Sequence, residues 1–124
     1  MRTIIVTSTN KLWAAAQECG SYTQSTAELT LDEVGYIHAT SPDQTIAMLN
    51  RRFSDRDDVI LLLVDLDKVE PEVKFEASSS GTTPGLFPHI YGPLNLDAVY
   101  DSATPVKSSL NTFADNTMLA ELSS

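Results

Sequence analysis

The spacing of apolar residues predicts a strand followed by a helix at the start of the chain. Residues 3–7 are mostly β-branched, as in a strand. Over residues 11–19 the apolar positions recur at helical spacing, with Asn10 as the expected N-cap and Gly20 as the expected glycine just past the end. The side chains expected on the buried face of this helix are Leu12, Ala15, Ala16 and Cys19.

A second strand and helix are expected after the polar segment 21–33, which shows neither period and is typical of an irregular loop, with or without a helical turn. Residues 36–39 predict a short strand. Ser41 is then a capping hydroxyl, with proline next and Gln44 three residues on, which is the pattern of a capping box. The apolar stripe expected along this helix is Ile46, Leu49 and Phe53.

The second half of the chain is dominated by strands. Residues 59–64 form the most hydrophobic run and predict a central strand buried on both faces. Residues 65–69 predict one helical turn, and residues 73–76 alternate as a partly exposed strand does. A last short strand is expected at residues 98–100.

Two segments of this half show neither strand nor helix periodicity. Residues 77–85 are rich in Ser, Thr and Gly and predict a surface loop, either a lid or a passive connection. Residues 87–94 contain two prolines and a glycine, so we expect no long regular element there. The chain is interpreted as one α+β domain over residues 1–124, with its core at about 3–101 and a helical or frayed extension over 102–124.

Composition and charge exclude several classes of function. The formal charge is −9, with 17 acidic against 8 basic side chains, which argues against bulk nucleic-acid binding. No apolar run approaches the roughly 20 residues of a membrane span. The single cysteine excludes an internal disulfide and favours a cytoplasmic protein. Oligomeric state is not readable from the sequence.

Both histidines of the chain, His38 and His89, lie among aromatic, hydroxyl and turn-forming residues, and we expect them to form two halves of one pocket. Strand alternation puts His38 and Thr40 on the same face, where they could bind a ribose or an amide. The alternative is structural: His38 would bond a backbone carbonyl, and Thr40 would help to cap the helix. His89 and Tyr91 are also two apart, in a segment suited equally to a binding site or to a tight corner.

Other familiar site types are absent from the sequence. There is no glycine-rich phosphate loop, no Cys/His spacing for a metal such as zinc, and no serine in a nucleophile elbow. Arg51 and Arg52 form the best local basic patch, with Arg56 and Lys74 as helpers. These arginines either meet the phosphate of a nucleotide or form a solvated helix end.

Several motifs together resemble the bacterial domain of unknown function 952 family. They are Gly-Tyr-Ile-His-x-Thr at 35–40, Val-Lys-Phe-Glu at 73–76 and Phe-Pro-His-Ile-Tyr-Gly-Pro-Leu at 87–94. The resemblance covers about residues 11–101. It implies an ADP-ribosyltransferase-like fold, with two small mixed or antiparallel sheets around a cleft and two main helices.

In enzymes of that fold the motif histidine contacts a ribose and a later tyrosine stacks on nicotinamide. The resemblance therefore implies that His38 and Thr40 bind the ligand and that Tyr91 and Tyr36 stack on a flat ring. The sequence names no cofactor; NAD or a related nucleotide is the class that the resemblance implies. Active transferases add a glutamate, and Glu76 is the nearest acidic candidate for that role.

The sequence is compatible with three functions. The first is a group-transfer enzyme of the ADP-ribosyltransferase-like class, with His38 and His89 as catalytic residues and a small-molecule ligand in the pocket. The second is a non-catalytic module that binds or senses a small metabolite. The third is an interaction domain whose two histidines are structural.

Overall fold

The computed structural model describes residues 2–78, 85–105 and 113. In this part the chain is α+β, and every paired strand is antiparallel. The helices are α1 (Asn10–Cys19), α2 (Leu31–Val34) and α3 (Pro42–Arg52). The strands are β1 (Thr3–Thr9), β2 (Ser21–Tyr22), β3 (Ile37–His38), β4 (Val59–Asp65), β5 (Glu72–Ala77), β6 (Leu86–Tyr91), β7 (Leu94–Asn95) and β8 (Val99–Ala103). Short 3₁₀ turns at Leu66–Lys68 and Leu96–Ala98 precede β5 and β8.

The first sheet has the strand order β1-β4-β8, with β4 in the middle, as the apolar run at 59–64 predicts. Alternation along β1 and β4 sends side chains to opposite faces, and each face has its own hydrophobic cluster. Ile4 and Leu62 belong to the first cluster, whereas Ile5 and Leu63 belong to the second. This sheet therefore separates two cores, and full burial of each aliphatic side chain stabilises the fold by about 1.5–3 kcal/mol.

The second sheet has the order β3-β6-β5, and its middle strand corrects the expectation for residues 87–94. Most of that segment is strand β6, despite Pro88 at its centre. The Pro88 carbonyl accepts from Ala39 N at 3.1 Å. In an antiparallel strand the N–H and C=O of one residue face the same neighbouring strand. The N–H that Pro88 lacks would therefore face β3. On the other side, the pairing of β6 with β5 continues through Pro88.

A third, two-stranded sheet pairs β2 with β7, so the described residues form three sheets where two are expected from the sequence. The segment 21–33 is likewise more regular than its composition indicates. It contains β2, and α2 begins after Thr30, whose hydroxyl accepts from Glu33 N while the Glu33 carboxylate accepts from Thr30 N. The helical turn that the sequence left open is thus α2, and polar side chains cap it.

Helix α1 begins one residue earlier than predicted. Thr9 is the N-cap, and its hydroxyl accepts from Leu12 N at 3.2 Å. Gly20 ends the helix in the left-handed conformation at φ +95°, as predicted. Only Ala16 of the expected face is buried, and Cys19 is exposed, because α1 covers the first cluster from its edge.

Helix α3 begins directly after Ser41, as expected, but Ile46 of the predicted stripe is only half-buried. Ser41 N donates to the Gln44 side chain at 2.9 Å, while the Ser41 hydroxyl donates to Asp43. Leu49 and Phe53 are buried in the second cluster. None of the described helices is long and apolar enough to cross a membrane.

The two larger sheets are joined where β1 meets the end of β3. Ile5 N donates to Thr40 O at 2.7 Å, and Thr40 N donates to Ile5 O at 2.8 Å. This bridge fixes the segment carrying His38 against the first sheet and directs the chain into α3.

Residues 79–84 of the predicted loop and residues 106–112 and 114–124 of the predicted extension lie outside the described residues. Residues 102 and 103, expected to be helical or frayed, belong to strand β8. Phe113 is described and is buried in the second cluster. The Asn50 side chain accepts from Phe113 N at 2.7 Å and donates to Phe113 O at 3.0 Å.

Candidate functional site

Strands β3 and β6 bring the two histidines together. His38 and His89 are register partners in this antiparallel pair, although they are 51 positions apart in the sequence. Their ring centroids are 5.6 Å apart in an edge-to-face arrangement. Cross-strand partners on one face lie close enough for their side chains to interact, so the register itself creates the pair.

A cavity of about 450 Å³ opens beside both histidines. Its walls come from β1, the end of β3, α3 and the segment before α2. The polar and charged side chains on the walls include Ser25, His38, Thr40, Arg51, Arg52 and His89. The apolar side chains include Ile5, Leu29, Met48, Phe53 and Phe87. The volume is in the range of pockets for small molecules.

His38 is held in its neutral form with one ring nitrogen unpartnered. Its Nδ1 shares a hydrogen bond of 2.9 Å with Ser25 Oγ. Burial, the nearby His89 and the charge of Arg52 lower the pKa of His38 to about 4. Its Nε2 is buried, and no described residue hydrogen-bonds to it. A buried polar atom without a partner costs about 1–3 kcal/mol, so this nitrogen marks a place for a hydrogen-bonding group.

His89 is buried, with 3% of its surface exposed, and its Nδ1 lies 3.0 Å from Glu76 Oε1. The Tyr91 hydroxyl donates to the same carboxylate oxygen. The bonds from Tyr91 and His89 lower the pKa of Glu76, and the bond to Glu76 raises the pKa of Tyr91 to about 12. Glu76 is therefore an ionised carboxylate at neutral pH that binds two donors.

Tyr36 stacks on the ring of His89. Its ring lies 4.1 Å from that of His89 at an interplanar angle of 19°. Its distances to the rings of His38 and Tyr91 are 4.9 and 5.3 Å. Tyr36, Tyr91 and Glu76 are not among the residues that line the cavity. Tyr36 and Glu76 contact His89, and Tyr91 contacts Glu76 and Tyr36.

Of the remaining predicted residues, Thr40 is hydrogen-bonded within the fold, whereas Arg51 and Arg52 are exposed. The Thr40 hydroxyl shares a bond of 2.9 Å with Thr45 Oγ1 and lies 3.5 Å from the Ile5 carbonyl oxygen. Thr45 Oγ1 in turn donates to Ser41 O at 3.0 Å, so Thr40 supports the start of α3. Arg51 and Arg52 are exposed at the cavity wall.

Neither arginine forms an ion pair with a described residue. Their neighbour Arg56 differs, because it binds Asp58 through two hydrogen bonds of 3.0 and 3.1 Å. Across residues 2–78, 85–105 and 113, no three His, Cys, Asp or Glu side chains gather as metal ligands would. The charged side chains at the cavity are thus the arginines Arg51, Arg52 and Arg56 and the carboxylates Glu28 and Asp55, with the two imidazoles beside them.

Ser25 is the functional residue that sequence reasoning missed. It is buried, it lines the cavity, and it hydrogen-bonds His38. Its segment carries no periodic pattern, and the contact depends on a backbone bond from His38 N to Ser25 O at 3.2 Å that only the folded chain creates.

A family model described as protein of unknown function (DUF952) matches residues 7–102. The chain belongs to this family. The match confirms the resemblance seen in the motifs, and it spans β3, β6 and both histidines. Among curated proteins, none matches the chain.

Solved structures of protein CC0527 from Caulobacter crescentus have the same fold. The crystal structure is 24% identical with a TM-score of 0.79, and the alignment covers 95% of this chain and 98% of that one. The solution structure is 25% identical with a TM-score of 0.72, covering 90% and 91%. At this level of identity the crystal structure supports the α+β fold alone.

Proposed function

We propose that this DUF952 protein binds a small anionic metabolite, of the nucleotide or NAD class, in the cavity beside His38 and His89. The observation that carries the proposal is the buried Nε2 of His38, which has no hydrogen-bond partner among the described residues and belongs to a residue that lines the cavity together with Arg51 and Arg52. A ligand group that hydrogen-bonds this nitrogen would remove the cost of leaving it unsatisfied.

The charge of the cavity supports an anionic ligand. The whole chain carries a formal charge of −9, and yet Arg51 and Arg52 lie together at this wall without carboxylate partners among the described residues. Arginine binds phosphate and carboxylate groups through several directed N–H donors. A phosphate or carboxylate of the ligand would neutralise this cluster.

The apolar part of the cavity supports a ligand with a flat or hydrophobic portion. Met48, Phe53 and Phe87 supply large apolar surface on the same walls as the polar groups. Pockets of mixed character, mostly apolar with a few placed polar groups, are typical of cofactor and metabolite sites. A nucleotide combines such a ring with phosphates.

The motif resemblance extends this proposal to an ADP-ribosyltransferase-like fold. His38 and Thr40 correspond to the histidine and hydroxyl residue that open the nucleotide site in that fold. Two longer helices and antiparallel sheets beside a cavity are compatible with it. Glu76 bonds His89 and Tyr91 instead of lining the cavity, so we assign it no direct contact with the ligand.

Thermal unfolding in the presence of NAD, ADP-ribose and nicotinamide tests the proposal. We expect NAD or ADP-ribose at millimolar concentration to raise the melting temperature by several degrees, since a ligand at 100 times its Kd stabilises by about 2.7 kcal/mol. Nicotinamide, which lacks phosphate, should have little effect. No shift with any of the three would refute the proposal.

Two variants and a control locate the binding. Arg52→Ala and His38→Ala should each reduce the shift in melting temperature. The first removes a partner for phosphate, and the second removes the imidazole whose Nε2 has no partner among the described residues. Lys11→Ala removes an exposed cation of α1 that does not line the cavity, and it should bind like the wild type. Equal shifts in Arg52→Ala and Lys11→Ala would place the ligand elsewhere.

A second candidate, a group-transfer enzyme, is favoured by the bond between Glu76 and His89. A carboxylate that bonds one nitrogen of an imidazole stabilises the imidazolium that forms when the other nitrogen takes up a proton. Mass spectrometry of NAD incubated with the protein would detect released nicotinamide if group transfer occurs.

A further inference from the structure

We propose that His89 is the proton acceptor of the cavity, acting on a hydroxyl group or a water molecule bound there, and that Glu76 is the positioning residue that prepares it. The proposal rests on the proposed function, because the hydroxyl belongs to, or attacks, the anionic ligand in the same cavity. It assigns a proton transfer to a cavity that the proposed function treats as a binding site.

The bond to Glu76 fixes which nitrogen of His89 carries the proton. An ionised carboxylate only accepts hydrogen bonds, and Glu76 already accepts one from the Tyr91 hydroxyl. The 3.0 Å contact is therefore a bond donated by Nδ1–H of His89. In the neutral imidazole the lone pair is then at Nε2, the nitrogen that can take up a proton.

The surroundings of His89 hold its ring in one orientation. The residue is 3% exposed, Tyr36 covers one ring face at 4.1 Å, and Glu76 holds one edge. His89 lines the cavity, whereas Tyr36 and Glu76 do not. The open side of the ring is thus the side of the cavity, away from the carboxylate.

The two histidines differ in the partner that each has at Nδ1. His38 bonds the neutral Ser25 hydroxyl, and burial with nearby positive charge makes it a weak base. His89 bonds a carboxylate, which stabilises the imidazolium that forms when a proton is taken up. The different partners at Nδ1 favour divided roles, with His38 binding the ligand and His89 accepting the proton.

The proposed step is a simple proton transfer. The O–H bond of the bound hydroxyl or water breaks, its proton forms a bond with His89 Nε2, and the electron pair stays on the oxygen. The positive charge that appears on the imidazolium faces the negative charge of Glu76. Because the two histidine rings are 5.6 Å apart, one small polar group can lie beside both of them.

Nitrogen-15 NMR of the imidazole rings tests the tautomer directly and without a ligand. We expect wild-type His89 to carry its proton on Nδ1, and Glu76→Gln to lose this preference. Glu72→Gln is the matched control, since Glu72 is an exposed glutamate on the same strand whose ion pair is with Lys74, at 3.7 Å. A proton on Nε2 in the wild type, or no change in Glu76→Gln, would overturn the proposal.

Reaction with diethyl pyrocarbonate, which acylates the unprotonated imidazole nitrogen, tests basicity at the cavity. We expect mass spectrometry to show His89 modified about 10-fold more slowly in Glu76→Gln than in the wild type, the usual size of an effect from losing an orienting partner. Glu72→Gln should react like the wild type. Tyr91→Phe retains the carboxylate and should keep the Nδ1–H tautomer.

The two proposals fail in different ways. If no nucleotide raises the melting temperature but the tautomer and reactivity follow Glu76, the ligand class is wrong and the proton acceptor stands. If ADP-ribose binds and protects His89 from acylation but Glu76→Gln reacts at the wild-type rate, the role of Glu76 as positioning residue is refuted. Circular dichroism of each variant confirms that the comparison is made between folded proteins.

Discussion

The two larger sheets of this protein use their middle strands for opposite purposes. In β4 every residue except half-buried Ile60 is buried, and the strand separates two apolar clusters. In β6 the buried residues include Pro88 and His89, and the strand connects a carboxylate to a cavity. The one buried charged residue of β4, Asp65, stands at the end of that strand, whereas β6 buries His89 in its interior. The candidate site is therefore in the sheet whose middle strand buries a titratable side chain in its interior.

The largest expected effect belongs to the apolar sheet. Leu62→Ala removes a fully buried side chain from the middle of β4, and we expect it to lower the free energy of unfolding by about 2–5 kcal/mol. Urea unfolding followed by circular dichroism measures the loss. A loss below 1 kcal/mol would mean that this strand is not the main support of the fold.

A smaller effect is expected from the partner of His38. Ser25→Ala leaves Nδ1 of His38 without its hydrogen bond, so both ring nitrogens would lack partners among the described residues. We expect the free energy of unfolding to fall by about 1–3 kcal/mol, the cost of an unsatisfied buried group. Ser21→Ala, at a half-buried position in β2, is the matched control. Equal unfolding curves for the two variants would show that the bond to Ser25 contributes nothing.

The smallest effect is a difference in pH dependence. Because the folded pKa of His38, about 4, lies below the ordinary value of 6.5, the unfolded chain binds this proton first as the pH falls. Stability should therefore decrease between about pH 6.5 and 4 on account of His38. Urea unfolding at several pH values should show a shallower decrease in His38→Gln. The same slope in both proteins would indicate that His38 is solvated in the folded state.

The sequence predicted the apolar sheet better than the site. Residues 59–64 and the start of α3 follow local rules, since burial and capping leave direct traces in the order of residues. Strand β6 was missed because a proline lowers its strand propensity, and only the position of its neighbour β3 explains why it is tolerated. The pairing of His38 with His89 was expected from composition, but the bonds to Ser25 and Glu76 depend on contacts between residues 13 apart that no periodicity encodes.

The bond between Asn50 and the backbone at Phe113 has a consequence for the boundaries of the folded unit. The family match ends at residue 102, yet the ring of Phe113 fills a place in the cluster formed by Leu49, Phe53 and their neighbours. The amide of Asn50 bonds there as a neighbouring strand would, with one donor and one acceptor for the N–H and C=O of a single residue. A polypeptide that ends at residue 102 would lack Phe113. The Asn50 amide would then lose these two hydrogen bonds, and the second cluster would lose an aromatic ring. The smallest unit that keeps both cores closed therefore extends past the conserved domain and includes Phe113.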